Sequence, residues 1–283
     1  MKIKLLLVIT GFLILAPVVM AEDATSSATA SATPVSTSVP TSIDQQKSDY
    51  FYQLEKYRQA KQQFNLDQAE YQKLGTLATK DKLVESYKNV LLARATTFQT
   101  YLFPLQQLLY NTQGIDVADK QKALDQIKDA ASRIHNHIQQ IPNLSEEPQV
   151  STEAQRFESQ DLPTFLEASY RSLSLLAIGR IQSIADQIVV SSNDFQKEVV
   201  DIETDARQKG AFERGLKEVA ALHKQASEAL ATAHLKFTAF DSTKKEDGFN
   251  PQAVYQSVTD SLSPAYTSLQ HSLDYLLELD KSR

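Results

Sequence analysis

The chain contains no cysteine. It therefore has no disulfide framework, no thiolate nucleophile and no cysteine to which a lipid could be attached. Zinc sites and iron–sulfur clusters held by cysteine are excluded for the same reason. The absence of cysteine leaves non-covalent packing as the source of stability.

Glycine and proline are scarce. The 283 residues include seven glycines and nine prolines, and no stretch shows the alternation of apolar and polar residues that is typical of a half-buried strand. Hydrophobic residues make up 42% of the chain and charged residues 23%, as in ordinary globular proteins. We therefore predict an all-α fold, with about six long antiparallel helices in up-down bundles or coiled-coil-like hairpins.

The chain also lacks a basic block. Its formal net charge is -6, and cleavage of a leader that contains Lys2 and Lys4 would remove two further positive charges. An acidic chain of this kind has little electrostatic attraction for nucleic acid or for an anionic membrane surface. We predict no nucleic-acid binding, and membrane contact only through the leader if the leader is retained.

Motifs that carry known chemistry are missing as well. The chain has no G-x-S-x-G, no phosphate-binding glycine loop, no H-E-x-x-H and no dinucleotide fingerprint. His135 and His137 are two positions apart, so on a helix they point to nearly opposite sides and cannot share one metal ion. We predict no catalytic residue, no metal site and no cofactor, and hence a protein that is not an enzyme.

Residues 1–21 are typical of a signal peptide. Lys2 and Lys4 precede an apolar run from Leu5 to Met20, and the small residue Ala21 ends a plausible cleavage site. The alternative is an uncleaved N-terminal anchor, although the run is short for a membrane span. No second apolar run of spanning length is apparent, so we expect the rest of the chain to be extracytoplasmic, either secreted or associated with the cell envelope.

Residues 22–43 consist mostly of Ser, Thr, Ala and Pro. This composition cannot bury enough apolar surface to order the chain, so we predict a disordered spacer.

The body of the chain is predicted to form two triplets of helices. An apolar or aromatic residue occurs at every seventh position from Ile43 to Tyr71, which indicates a helix that ends at Gly75. Two further helices, the second of them capped by Asp116, complete a first triplet over residues 44–142. A linker at 143–162, with room for a short helical piece at 153–159, would lead to a second triplet at 163–283. In this second triplet Lys209-Gly210 is a weak break and Asn250-Pro251 begins the last helix. The sequence leaves open whether the triplets are separate or merged.

Four residues are candidates for contacts with a ligand or partner. Arg94 and Arg180 lie close to apolar seams, where an arginine either pairs with a carboxylate or contacts an anionic ligand. Three consecutive aromatic residues at 50–52 cannot all face one core, so Phe51 or Tyr52 should be exposed or touch a third helix.

The segment from Tyr71 to Lys82, YQKLGTLATKDK, followed by NVLLAR at 89–94, resembles uncharacterised exported all-helical proteins of uncultured small-genome bacteria. The resemblance covers the first two predicted helices. It implies export and helicity, and no function comes with it.

These observations favour a non-enzymatic exported helical bundle that acts as an envelope-associated scaffold, spacer or protein-interaction module. Its partners would be proteins that bind its helix faces, or further copies of the same chain. The alternative is a ligand-binding or sensory bundle with a pocket between helices near Arg94 or Arg180.

Overall fold

The computed structural model describes residues 42–201, 206–242 and 248–281, and it describes side chains at 42–197, 209–242 and 248–281. All regular structure in these residues is helical, so the predicted all-α fold is confirmed. The predicted signal peptide at 1–21 and nearly all of the predicted spacer lie outside the described residues and stay predictions. Ile43 already belongs to the first helix, so the spacer would end one residue earlier.

Seven α-helices are described. They are α1 Ile43–Leu74, α2 Leu77–Asn111, α3 Val117–Gln140, α4 Glu147–Arg156, α5 Leu162–Asp201, α6 Ala206–Phe237 and α7 Pro251–Lys281. A π-helical turn at Phe157–Asp161 joins α4 to α5 without interruption, so the described residues hold six long rods. Short 3₁₀ turns at Ile141–Asn143 and Thr238–Asp241 follow α3 and α6.

Local sequence explains where several helices begin and end. Gly75 ends α1 in the left-handed conformation, with φ of 60°. Asp116 caps α3 by accepting hydrogen bonds from the backbone N–H groups of Ala118 and Asp119, at 2.8 and 3.2 Å. Asn250 caps α7 in the same way, with Pro251 as its first helical residue. These predicted boundaries are confirmed.

Helices α1 and α2 form an antiparallel hairpin. Three contacts show this direction, because the residue numbers rise along α1 while they fall along α2. The contacts are Tyr50 with Tyr101, Phe64 with Tyr87, and Asp67 with Lys82. The heptad aromatics of α1 therefore meet aromatics of α2, as the seven-residue pattern predicts.

Helix α5 is the centre of the bundle. It contacts α2, α3, α6 and α7, and residues 168–176 are buried on every side. A helix that is buried all round cannot belong to one triplet alone. The described helices accordingly form one compact unit that merges the two predicted triplets.

The helical piece that the sequence allows at 153–159 is present, but the predicted linker at 143–162 is wrong in being mostly non-helical. Residues 147–161 are helical, and Val150 and Phe157 within them are fully buried. Pro148 favours a linker when only the sequence is considered. In the structure it lies in the first turn of α4, where a proline costs no hydrogen bond.

The predicted break at Lys209-Gly210 is also wrong, because both residues lie inside α6. The chain nevertheless reverses before them. The rings of Phe195 on α5 and Phe212 on α6 are 6.4 Å apart, whereas a straight helix would separate these residues by about 25 Å. Helices α5 and α6 are therefore antiparallel neighbours.

The continuous helix Glu147–Lys197 is long and apolar enough to cross a membrane, with a mean hydropathy of 1.4 over its most apolar window. The expectation of no second run of spanning length is therefore wrong on length and composition. Burial at the centre of the bundle is sufficient to account for this apolar composition.

Candidate functional site

Charged and polar side chains converge inside the bundle where α3 meets the π-helical turn. His137 on α3 is fully buried, and its Nδ1 lies 2.5 Å from Oε1 of Glu153 on α4. Arg156 donates to both oxygens of Glu153, at 2.9 and 2.8 Å, and its Nη2 lies 2.9 Å from Oδ2 of Asp161. We call His137, Glu153, Arg156 and Asp161 the π-turn cluster.

The π-helical turn is what brings Arg156 and Asp161 together. Residues five apart on an α-helix diverge by about 140° around the axis. The i to i+5 hydrogen bonding of a π-helix places such residues on the same side. Asp161 is buried, so without this turn its carboxylate would lack the Arg156 cation.

Arg94 reaches the edge of the cluster from α2. Its Nη1 donates to Oε1 of Glu158 at 3.1 Å, and its guanidinium carbon lies 5.0 Å from the centre of the Phe157 ring. His137 packs on the same ring at 4.3 Å. The structure thus shows the carboxylate pairing that was one of the two alternatives for Arg94. Its Nε and Nη2 are buried and have no hydrogen-bond partner in the described part of the chain.

The protonation states in the cluster follow from these contacts. Burial alone would raise the pKa of Glu153, but hydrogen bonds from Arg156 and His137 outweigh it and hold that pKa below its usual range. Burial lowers the pKa of His137, since the charged imidazolium is penalised away from water, and this effect exceeds the opposite effect of the Glu153 carboxylate. An ionised Glu153 can only accept, so Nδ1 of neutral His137 carries the proton. Its Nε2 is buried and finds no hydrogen-bond partner among the described residues.

A second charged contact joins α5 to α3 and to the end of α6. Arg171 is fully buried, and its Nη2 lies 2.7 Å from Oδ1 of Asp241, at the end of the 3₁₀ turn after α6. Lys122 on α3 pairs with the same oxygen. The guanidinium carbon of Arg171 also lies 5.0 and 5.8 Å from the ring centres of Phe237 and Phe240. We call Lys122, Arg171 and Asp241 the Asp241 clasp.

The other predicted contact residues lie apart from the cluster. Arg180 is exposed on α5, about 33 Å along the helix from Glu158, so the two candidate arginines share no site. Phe51 and Tyr52 are 55% and 52% exposed on α1, so the expectation that at least one is exposed holds for both.

Sequence reasoning missed Arg171 and gave His137 no role beyond an unsuccessful metal pair. Arg171 had one usable signal, since it is a lone charge in the apolar stretch from Ser169 to Ile178. His137 and Glu153 had none, because their pairing depends on how α4 packs on α3.

No protein-family model, curated protein or solved structure matches the chain. Function must therefore be argued from the residues themselves. Across the described ranges, no three side chains of His, Asp or Glu are grouped in a way that could hold a metal ion. The carboxylates of Glu153 and Asp161 are paired within the π-turn cluster, and the contact of Glu153 with His137 joins α4 to α3.

Proposed function

We propose that the protein is a non-enzymatic helical bundle, exported to the cell envelope, that acts as a scaffold, spacer or protein-interaction module. The observation that carries the proposal is the outer face of α1. Within the described residues, α2 is the only helix that contacts α1 extensively. This arrangement leaves four large apolar side chains of α1 exposed: Phe51, Tyr52, Leu66 and Leu74.

Phe51 and Tyr52 are the strongest contact residues on this face. They are adjacent, both are more than half exposed, and Lys56 lies 5.4 Å from the Tyr52 ring centre. Phe and Tyr are enriched in protein interfaces, and Tyr is among the residue types that contribute most to binding. A partner helix or a second copy of the chain would bury them.

Changing Phe51 and Tyr52 to serine should abolish association without unfolding the bundle, because neither side chain is part of the core. The double variant and the native full-length chain are compared by sedimentation velocity and by chemical crosslinking in isolated cell envelopes. We expect the crosslinked species of the native chain to be lost, while the midpoint of thermal unfolding changes little.

Tyr110→Ser is the matched control, since Tyr110 is 72% exposed on α2. It should crosslink as the native chain does. If the Phe51 and Tyr52 variant forms the same crosslinked species as the native chain, the proposed interaction face is wrong.

Arg94 favours a second candidate function, a ligand-binding or sensory bundle. The specific observation is that two of its three guanidinium nitrogens are buried without a hydrogen-bond partner in the described part of the chain. A small carboxylate or phosphate would supply acceptors for them.

This second function predicts that a small anion raises the midpoint of thermal unfolding and that Arg94→Ala removes the effect. At a ligand concentration one hundred times Kd, the added stability is about 2.7 kcal/mol. Arg133→Ala is the control, because Arg133 is an exposed arginine on α3 that pairs with Asp129 on its own helix. A shift that persists in Arg94→Ala would contradict this function.

A further inference from the structure

The ring of His137 is enclosed by charged groups from three elements. Glu153 and Arg156 face it from α4, while Glu158 and Asp161 lie on the π-helical turn beside it. From α2, Arg94 shares the Phe157 ring with it. On its own helix, His135 is exposed, and Arg133 pairs with Asp129 on the surface.

A proton added to His137 must go to Nε2, because Nδ1 already carries one. The new N–H would be buried with no acceptor available in the described part of the chain. It would also add a positive charge close to the guanidinium groups of Arg94 and Arg156. Glu153 faces this charge at Nδ1, but the Nε2–H would remain a buried donor without an acceptor, which costs free energy.

We propose that His137 is an acid-sensitive latch whose protonation releases α4 and the π-helical turn from α2 and α3. After release, Nε2 can form a hydrogen bond to water, and Glu153 keeps its ion pair with Arg156. The inference does not depend on the proposed interaction function, because it concerns contacts inside the bundle.

Helix α4 is suited to local release. It is the N-terminal end of the continuous helix Glu147–Lys197, and the ends of helices open more readily than their interiors. Its main apolar anchors are Val150 and Ala154, which pack in a small cluster with Leu91 and Ile141. Loss of the His137 to Glu153 hydrogen bond removes the polar contact that joins α4 to α3.

The direction of the pH effect follows from proton linkage. The pKa of His137 is lowered in the closed state by burial, whereas in the open state the ring is in water and regains its ordinary pKa. Below about pH 6.5 the open state therefore binds a proton that the closed state does not. The closed state loses stability as the pH falls through this window, by up to tenfold in its equilibrium constant per pH unit.

The test is amide hydrogen exchange of the full chain at pH 7.0 and pH 5.5, corrected for intrinsic exchange rates. Protection of the α4 amides should fall by about tenfold. The binding of one proton by the open state changes the opening equilibrium by at most tenfold for each pH unit below about pH 6.5. The amides of α1, which lies away from the cluster, should keep their protection. His135→Gln is the matched control on the same helix and should behave as the native chain does.

His137→Gln should remove the pH dependence of α4, although it weakens the contact with Glu153. Nitrogen chemical shifts of His137 in the unaltered protein provide a reading that needs no variant. We expect the Nδ1–H form at pH 7.0 and protonation below the ordinary histidine pKa of about 6.5. Protonation of His137 at or above the ordinary histidine pKa of about 6.5, or protonation with no loss of α4 protection, would overturn the proposal.

Discussion

Replacing Asp241 by asparagine is expected to lower the free energy of unfolding by about 3–5 kcal/mol, because it leaves a buried charge uncompensated. Arg171 is fully buried, and Asp241 provides its ion pair across the end of α6. The neighbouring guanidinium and ammonium groups hold the pKa of Asp241 below its usual range, against the effect of burial. The carboxylate is therefore charged at neutral pH. Urea denaturation followed by circular dichroism measures the loss.

Two further variants test whether the loss of stability comes from the unpaired charge of Arg171 or from a general effect of replacing an aspartate. Asp260→Asn changes an exposed carboxylate on α7 and should alter stability by no more than about 0.5 kcal/mol. Arg171→Met removes the buried cation, so the double variant with Asp241→Asn should be more stable than Asp241→Asn alone. If the double variant is the less stable of the two, burial of Arg171 is not the cause.

Replacing Gly179 by alanine is expected to cost about 2 kcal/mol, because there is no room for a side chain. A Cβ at this position would overlap Cγ1 of Ile115 and would lie 2.8 Å from the backbone oxygen of Gln113. Both belong to the connection between α2 and α3, which packs directly on α5. The backbone oxygen cannot turn aside as a side chain would, so the helices must separate. The same denaturation measurement applies.

Gly210→Ala is the matched control for Gly179→Ala. Gly210 also lies inside a helix, but the atom nearest to the methyl carbon of an alanine there would be Nη1 of Arg214, at 3.7 Å. Alanine is the better helix former, so this variant should gain about 0.5–1 kcal/mol. Equal effects at the two glycines would contradict the close approach of α5 to the α2–α3 connection.

Sequence periodicity and capping residues were sufficient to predict most of the helices. The seven-residue spacing from Ile43 to Tyr71 predicted α1, and Asp116 and Asn250 marked where α3 and α7 begin. These signals are local, since a cap acts within three residues and a heptad within two turns.

The features that sequence reasoning missed depend on tertiary contacts. A proline such as Pro148 is typical of a linker, but it is equally compatible with the first turn of a helix, where it lies in the structure. Nothing local marks the π-helical turn, whose residues Phe157 and Asp161 are buried against the rest of the bundle. The merging of the triplets likewise required knowing that α5 has neighbours on every side.

The candidate site was predictable in part. Arg94 was singled out because it lies near an apolar seam, and it does reach the buried cluster, although by pairing with Glu158. Arg180 was predicted for the same reason but is exposed. Successive residues of a helix point about 100° apart, so a residue two positions from a buried one can lie on the outer side of α5.

The central claim is that both predicted triplets fold as one bundle around α5, and single tryptophan reporters test it most directly. The chain has no tryptophan, so Phe64→Trp on α1 and Tyr255→Trp on α7 each report one side of the bundle. Each is measured with and without Asp241→Asn during urea unfolding. We predict one common midpoint for both reporters, shifted equally by Asp241→Asn. Two separate midpoints, with only the α7 reporter shifted, would show two independent triplets and contradict the account.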